Sequence, residues 1–198
     1  MTAWSILLPS WPTGDRFAQL KSPTWDGSPS EDKTKQCGPT ALSAIIYWLT
    51  GTFVPGDAIK DAILGQGKTG PTSLAQLREF AADWASVPST VLHPATTAGN
   101  ATGSLLNLEW SATVAGHPVL LLRHFSATVK DPHWCVTVGL DPDHVYVFDP
   151  YTGALRIETY DEHRALYLGD SVAGGGMARI DRDRDRWLDL PRPSMPKD

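Results

Sequence analysis

Three residues of this sequence combine types that can do nucleophilic chemistry: Cys37, His133 and Asp149. Cys37 stands in Gln36-Cys37-Gly38-Pro39-Thr40, directly before a run with helical spacing. A thiol there faces the unsatisfied N–H groups and the positive dipole end of the helix, which favour the thiolate. Its own N–H can face a developing oxyanion, and Gly38 leaves room for a substrate backbone. Taken alone, Cys37 reads more readily as a small buried side chain opening a helix. His133 lies where a polar Asp-Pro loop turns into a strand, so its ring projects from a fixed scaffold with a pKa near neutrality, as a general base requires. The other histidines, His93, His117, His124, His144 and His163, read as structural or exposed. Asp149 closes the next strand, sixteen residues after His133. A hairpin turning near residue 142 puts His133 nine residues before the turn and Asp149 seven after it. With a bulge or a longer loop, the two side chains become neighbours. By itself, an Asp before Pro150 reads as a turn initiator.

The elements that would position these groups follow from periodicity. The spacing predicts a helix over Thr40–Leu49, with Leu42, Ile45, Ile46 and Leu49 on one buried face, Pro39 in its first turn and Gly51 as its C-terminal cap. Asp57–Leu64 forms a second helix with Asp57 as N-cap, and Leu74–Trp84 a third, opened by a Ser73/Gln76 capping box. A fourth lies around Ser104–Ala115. Beyond Gly116 the period changes from helical to alternating. Strands are expected at Pro118–Arg123, Trp134–Leu140, Val145–Asp149 and Leu155–Tyr160, with short ones at Ser5–Leu8 and Thr90–His93. Helices followed by an antiparallel run of strands indicate an α+β architecture. The expected organisation is a single domain over 1–190: an irregular lead-in 1–36, a helical part 37–116 and a sheet part 117–180. Residues 191–198 form a Pro-rich flexible tail.

Four segments in this order resemble the C39-like branch of the papain-like cysteine peptidases: Cys37-Gly38-Pro39; Gly116-His117-Pro118-Val119-Leu120; His133-Trp134-Cys135-Val136-Thr137-Val138-Gly139; and Val147-Phe148-Asp149-Pro150-Tyr151. The resemblance covers roughly residues 36–160. It implies a papain-like fold in which the nucleophile helix packs on an antiparallel sheet. It also implies hydrolysis of a peptide or amide bond through a thioester acyl-enzyme, without a cofactor or metal. Cys37 would be the nucleophile, His133 the base and later acid, and Asp149 the group that holds the imidazole. The family's oxyanion-stabilising Gln stands about six residues before the Cys, and that position here is Glu31. Gln36 is the candidate donor in its place, with Gln19 more distant. Gly38 and Trp134 are candidates for the substrate cleft. By analogy with bacterial and phage relatives, cell-wall stem peptides are one candidate substrate. The alternative is a catalytically weak binding module or an acyl or peptidyl transferase on the same scaffold, which the substitution at Glu31 motivates.

Cys135 shares a strand face with His133, and three readings stay open for it: a packed core thiol, a disulfide partner for Cys37, or a metal ligand. Cys37, His133, Cys135 and Asp149 would be chemically acceptable to zinc, but the close ligand pairs of structural zinc sites are lacking, so no metal is expected. Of the eight Trp residues, Trp4, Trp11 and Trp25 lie in the lead-in, where they suit either packing or stacking walls. Trp48 and Trp84 are assigned to helix–helix packing. The net charge of −5 and the absence of any Lys/Arg run argue against a nucleic-acid partner. No apolar stretch approaches 18 residues and the N-terminus has no basic region, so neither a membrane span nor a signal peptide is expected. The expected state is a monomer, cytoplasmic as synthesised, with export by another route open.

Overall fold

The computed structural model describes residues 5–21, 35–92, 101–168 and 176–181, the side chains of 101–104 excepted. In chain order the elements are β1 (Ile6–Leu7), a 3-10 turn (Asp15–Phe17), α1 (Cys37–Thr50), α2 (Gly56–Leu64), α3 (Leu74–Ala85), β2 (Ser89–Leu92), α4 (Ala101–Val114), β3 (Val119–His124), β4 (Pro132–Leu140), β5 (His144–Asp149), β6 (Ala154–Thr159), α5 (Tyr160–Leu166) and β7 (Met177–Ile180). Every strand pairing is antiparallel, and the sheet runs β2-β7-β3-β4-β5-β6, with β1 added against Gly139 and Leu140 of β4. Among the described residues no helix is long and apolar enough to cross a membrane.

The local signals act where the residues predict. Gly51 takes the left-handed conformation that stops α1, and the reciprocal Ser73/Gln76 capping box opens α3. Asp57 does not cap α2. Pro55 holds that position and Asp57 falls in the first turn. The chain adds α5, opened by a capping box between Thr159 and Glu162, and β7, which pairs with both β2 and β3.

Strand β4 is buried along both faces, because helices cover both sides of the sheet. On one side Leu120, Leu122, Trp134, Val136, Val138 and Phe148 pack with α1, α2 and α3 in the larger core. On the other, Val119, Leu121, Cys135, Val145, Val147 and Met177 pack with Leu105 and Ala112 of α4. Helix α1 therefore lies on one layer and α4 on the opposite one. The β4–β5 ladder shifts register between Thr137 and Gly139, the bulge that the hairpin requires. Gly139 is needed there because a Cβ would run into the backbone of Ile6 and Leu7 in β1.

The tryptophans divide differently from expectation. Trp48 packs on Trp11 of the lead-in, with ring centroids 5.6 Å apart, and its indole N–H donates to the Pro9 carbonyl at 2.9 Å. It fastens the lead-in to α1, not one helix to another. Trp84 is exposed and stacks on Phe80 of its own helix. Trp4, Trp25, Glu31, His93 and the tail 191–198 lie outside the described residues.

Candidate active site

Consecutive residues of β4 meet consecutive residues at the start of α1. Trp134 packs under Gly38: a Cβ on Gly38 would stand 2.8 Å from Trp134 Cδ1 and 2.6 Å from Thr72 Oγ1. The Trp134 indole N–H is tied to the Thr72 carbonyl at 3.1 Å. Gly38 is thus required by close packing of the helix on the sheet. Trp134, only 3% exposed, braces that contact from inside the core and does not line an open cleft. The neighbouring pair is His133 and Cys37. Cys37 is half-buried at the first position of α1, close enough to the imidazole to favour its charged form. Both cysteines are free, which settles one of the readings of Cys135.

His133 Nε2 lies 2.8 Å from Asp149 Oδ1, so the bulged hairpin does bring these two side chains together. That bond occupies Nε2 and leaves Nδ1 for a second partner. Asp149 Oδ1 also accepts the Tyr151 N–H at 2.9 Å, the geometry of an Asp-initiated turn. The two sequence-based readings of Asp149 therefore coexist in one oxygen. Its other oxygen, Oδ2, accepts Arg156 Nη1 at 3.3 Å.

Burial opposes charge on both members of the pair, and their surroundings overcome it. For His133, burial is outweighed by Cys135, Asp149 and Cys37, which together raise its pKa to about 12. For Asp149, burial is outweighed by His133, the Tyr151 N–H and the Arg156 charge, which hold the carboxyl below its usual range. The pair is thus an imidazolium–carboxylate in the folded chain. Phe125 presents its ring at a steep angle to His133, 5.0 Å between centroids, and Tyr151 meets Phe125 edge-on at 5.0 Å. Neither was singled out from the sequence; Tyr151 had a signal, its place directly after the Asp-Pro of the motif.

Cys135 lies 1% exposed in the core, with a donor atom within 4.8 Å of those of His133 and Asp149. Two of those three donors are already joined in the His133–Asp149 bond. Gln36 is the buried N-cap of α1, and its carbonyl accepts the Thr40 N–H at 2.8 Å. Gln19 is brought to this end of the molecule from far away in sequence. It is buried, and its backbone N–H donates to the Pro150 carbonyl at 2.6 Å, one residue from Asp149.

A second polar cluster lies behind the pair, on the α4 side. Arg123 stands directly across the β3–β4 ladder from His133, fully buried, and forks onto Glu158 with two bonds of 2.7 Å. His163 of α5 contacts Glu158 Oε2 through Nδ1 at 3.2 Å and Glu109 of α4 through Nε2 at 3.0 Å. The Thr137 hydroxyl donates to Glu109 at 2.5 Å. His163 is therefore structural, as expected, but it is bound into a network that the sequence did not reveal.

No family model matches the chain, and no curated protein matches it. Among solved structures, a protein of Bacillus anthracis provisionally described as a C39-like peptidase superposes with a TM-score of 0.61 at 14% identity. The match covers 90% of this chain and 98% of that one. At such identity the likeness speaks for the fold: helices packed on an antiparallel sheet, in the α+β arrangement of the papain-like cysteine peptidases.

Proposed function

We propose that the protein is a cysteine peptidase whose nucleophile is Cys37, with His133 as proton carrier and Asp149 as the group that orients it. The observation that supports this most is the placement of His133 between a buried carboxylate and the sulfurs of Cys37 and Cys135. Nε2 is fixed by a buried carboxylate, while Cys37 stands at the start of a helix beside the ring. In this mechanism the Cys37 thiolate attacks the scissile carbonyl. His133 then passes its proton to the departing amine, leaving a thioester. Water, deprotonated by His133, hydrolyses the thioester and restores the thiol. The Cys37 N–H, at a helix terminus where no intrahelical acceptor exists, is one donor for the oxyanion. Gln36 and Gln19 are the two carboxamides proposed as the other. The variant of these two that lowers kcat at constant KM identifies it.

The test is alkylation by iodoacetamide across pH, followed by peptide cleavage read by mass spectrometry. We expect Cys37 to be alkylated faster than an exposed model cysteine, and to lose that advantage in His133→Ala. Cleavage should vanish in Cys37→Ala with the fold intact. Turnover that persists in Cys37→Ala ends the proposal. We further propose cell-wall stem peptides as the substrate class. Cleavage of plain peptides with no dye release from purified walls would exclude that class alone.

A further inference from the structure

The mechanism above uses one oxygen of Asp149 and leaves the other unexplained. That second oxygen is held by Arg156 of β6, and Arg156 is held in turn by Glu158, whose Oε1 lies 3.5 Å from its Nε. Glu158 is itself immobilised by the two-bond fork from Arg123 and by His163. Three strands and a helix thus converge on one carboxylate. From β4 come His133 and Cys135; from β6, Arg156 with Glu158 behind it; from β3, the charge of Arg123; and from α5, His163 behind Glu158.

Resting on the reading of Cys37, His133 and Asp149 given above, we propose that Arg156 is a positioning residue. Clamped by Glu158, it holds Asp149 Oδ2 so that Oδ1 stays aimed at His133 Nε2, and it keeps the carboxylate ionised beside the imidazole. The physical reason lies in the freedom of a carboxylate. Asp149 Oδ1 serves both the Tyr151 N–H and His133, and a partial rotation that twists the carboxylate plane would weaken both bonds. A guanidinium on Oδ2 opposes that rotation, and a guanidinium fixed by a second carboxylate opposes it more firmly. The surrounding charges agree. Asp149, Glu158 and Glu109 are joined to Arg123, Arg156, His133 and His163, so the orienting acid is not neutralised by His133 alone.

Arg156 is suited to testing because its side chain is 38% exposed and it lies on the edge strand, where the fold tolerates substitution. Two readouts need no turnover: the pH titration of the Asp149 carboxyl carbon by NMR, and the rate of Cys37 alkylation at fixed pH. In Arg156→Met we expect the Asp149 titration to move to higher pH and alkylation to slow several-fold. Arg156→Lys, which restores the charge, should return the Asp149 titration towards that of the parent. With a cleavable peptide, Arg156→Met should lower kcat roughly tenfold, as for a mispositioned reacting group, with KM changed less than about twofold. An Asp149 titration unmoved in Arg156→Met would overturn the proposal, whatever happens to kcat. So would a Lys variant indistinguishable from Met. A parent protein that cleaves no peptide would sink the peptidase reading but leave these two measurements decisive.

Discussion

Among the described residues two buried histidines stand on carboxylates, and they differ in what the rest of the ring meets. His163 has Glu158 on Nδ1 and Glu109 on Nε2, both ring nitrogens used. Its pKa is raised to about 9, because burial is outweighed by those two acids. His133 has a single acid, Asp149 on Nε2, and its other neighbours are sulfurs, Cys135 in the core and Cys37 at a helix start. Both rings are charged and almost sealed from water. A histidine saturated by acids can only hold elements together, whereas one with a single acid keeps a nitrogen for exchange. Burial, charge and a perturbed titration thus mark the structural cluster as strongly as the candidate site. A second acid on one ring and sulfurs beside the other separate them.

The largest effect that sharpens this contrast is expected from Asp149→Asn. An amide at that position loses the charge and misorients the ring, and kcat/KM of the folded fraction should fall roughly 10³- to 10⁴-fold, while removing one partner of a buried pair lowers stability by about 3–5 kcal/mol. Full kcat/KM in the molecules that stay folded would mean that the two histidines serve the same end. Next comes Glu158→Gln, which strips the partner from the buried Arg123. Urea denaturation should show a loss of about 3–5 kcal/mol, the range for breaking a buried ion pair. A loss below about 1 kcal/mol would mean that the cluster is solvated. His163→Gln should cost on the order of 3 kcal/mol near neutrality, from the raised titration of the native ring. The sign is fixed by that raised pKa. His163 contributes fully below about pH 6.5 and loses its contribution as pH rises through about 9. Parent and variant should therefore converge in stability towards pH 9, and parallel curves would refute the assignment of charge. The smallest effect is expected for Gly38→Ala, about 1–3 kcal/mol, since the added methyl meets Thr72 and Trp134; no change in melting temperature would mean that the α1–β4 contact is loose.

Much of this arrangement is legible in the residues. The apolar face of α1, the Gly51 stop, the Ser73/Gln76 box and the alternation of β3 to β6 are local patterns, and local patterns survive translation into structure. Cys37, His133 and Asp149 each sit at an element boundary with recognisable neighbours, which makes them candidates in the sequence. Helix α5 was hidden by its length of seven residues and by a start that continues directly from β6, although Thr159 and Glu162 form the same kind of box that revealed α3. Strand β7 pairs only with strands distant in the chain, so its four residues carry no signal of their own. The Arg123–Glu158 pair spans 35 residues and His163–Glu109 spans 54. Charged residues on strands and helices ordinarily face water, and only tertiary contact turns these four inward. Gln19 stands eighteen residues before Cys37 in the chain. Its backbone bond to Pro150 shows that distance along the chain says little here.

The bulge in the β4–β5 ladder has a further consequence, one of parity. On the dyad side of it, Val136 faces Phe148 and Thr137 faces Val147, which sets Asp149 on the same layer as His133. On the turn side, Gly139 faces Tyr146 and Leu140 faces Val145. Were that second register carried through without the extra residue, Val136 would oppose Asp149. The acid and the imidazole would then point to opposite layers of the sheet. Val138 is the odd residue that keeps them together. Deleting it should part the two side chains while preserving the strands, a change of evenness that no substitution at either residue could imitate.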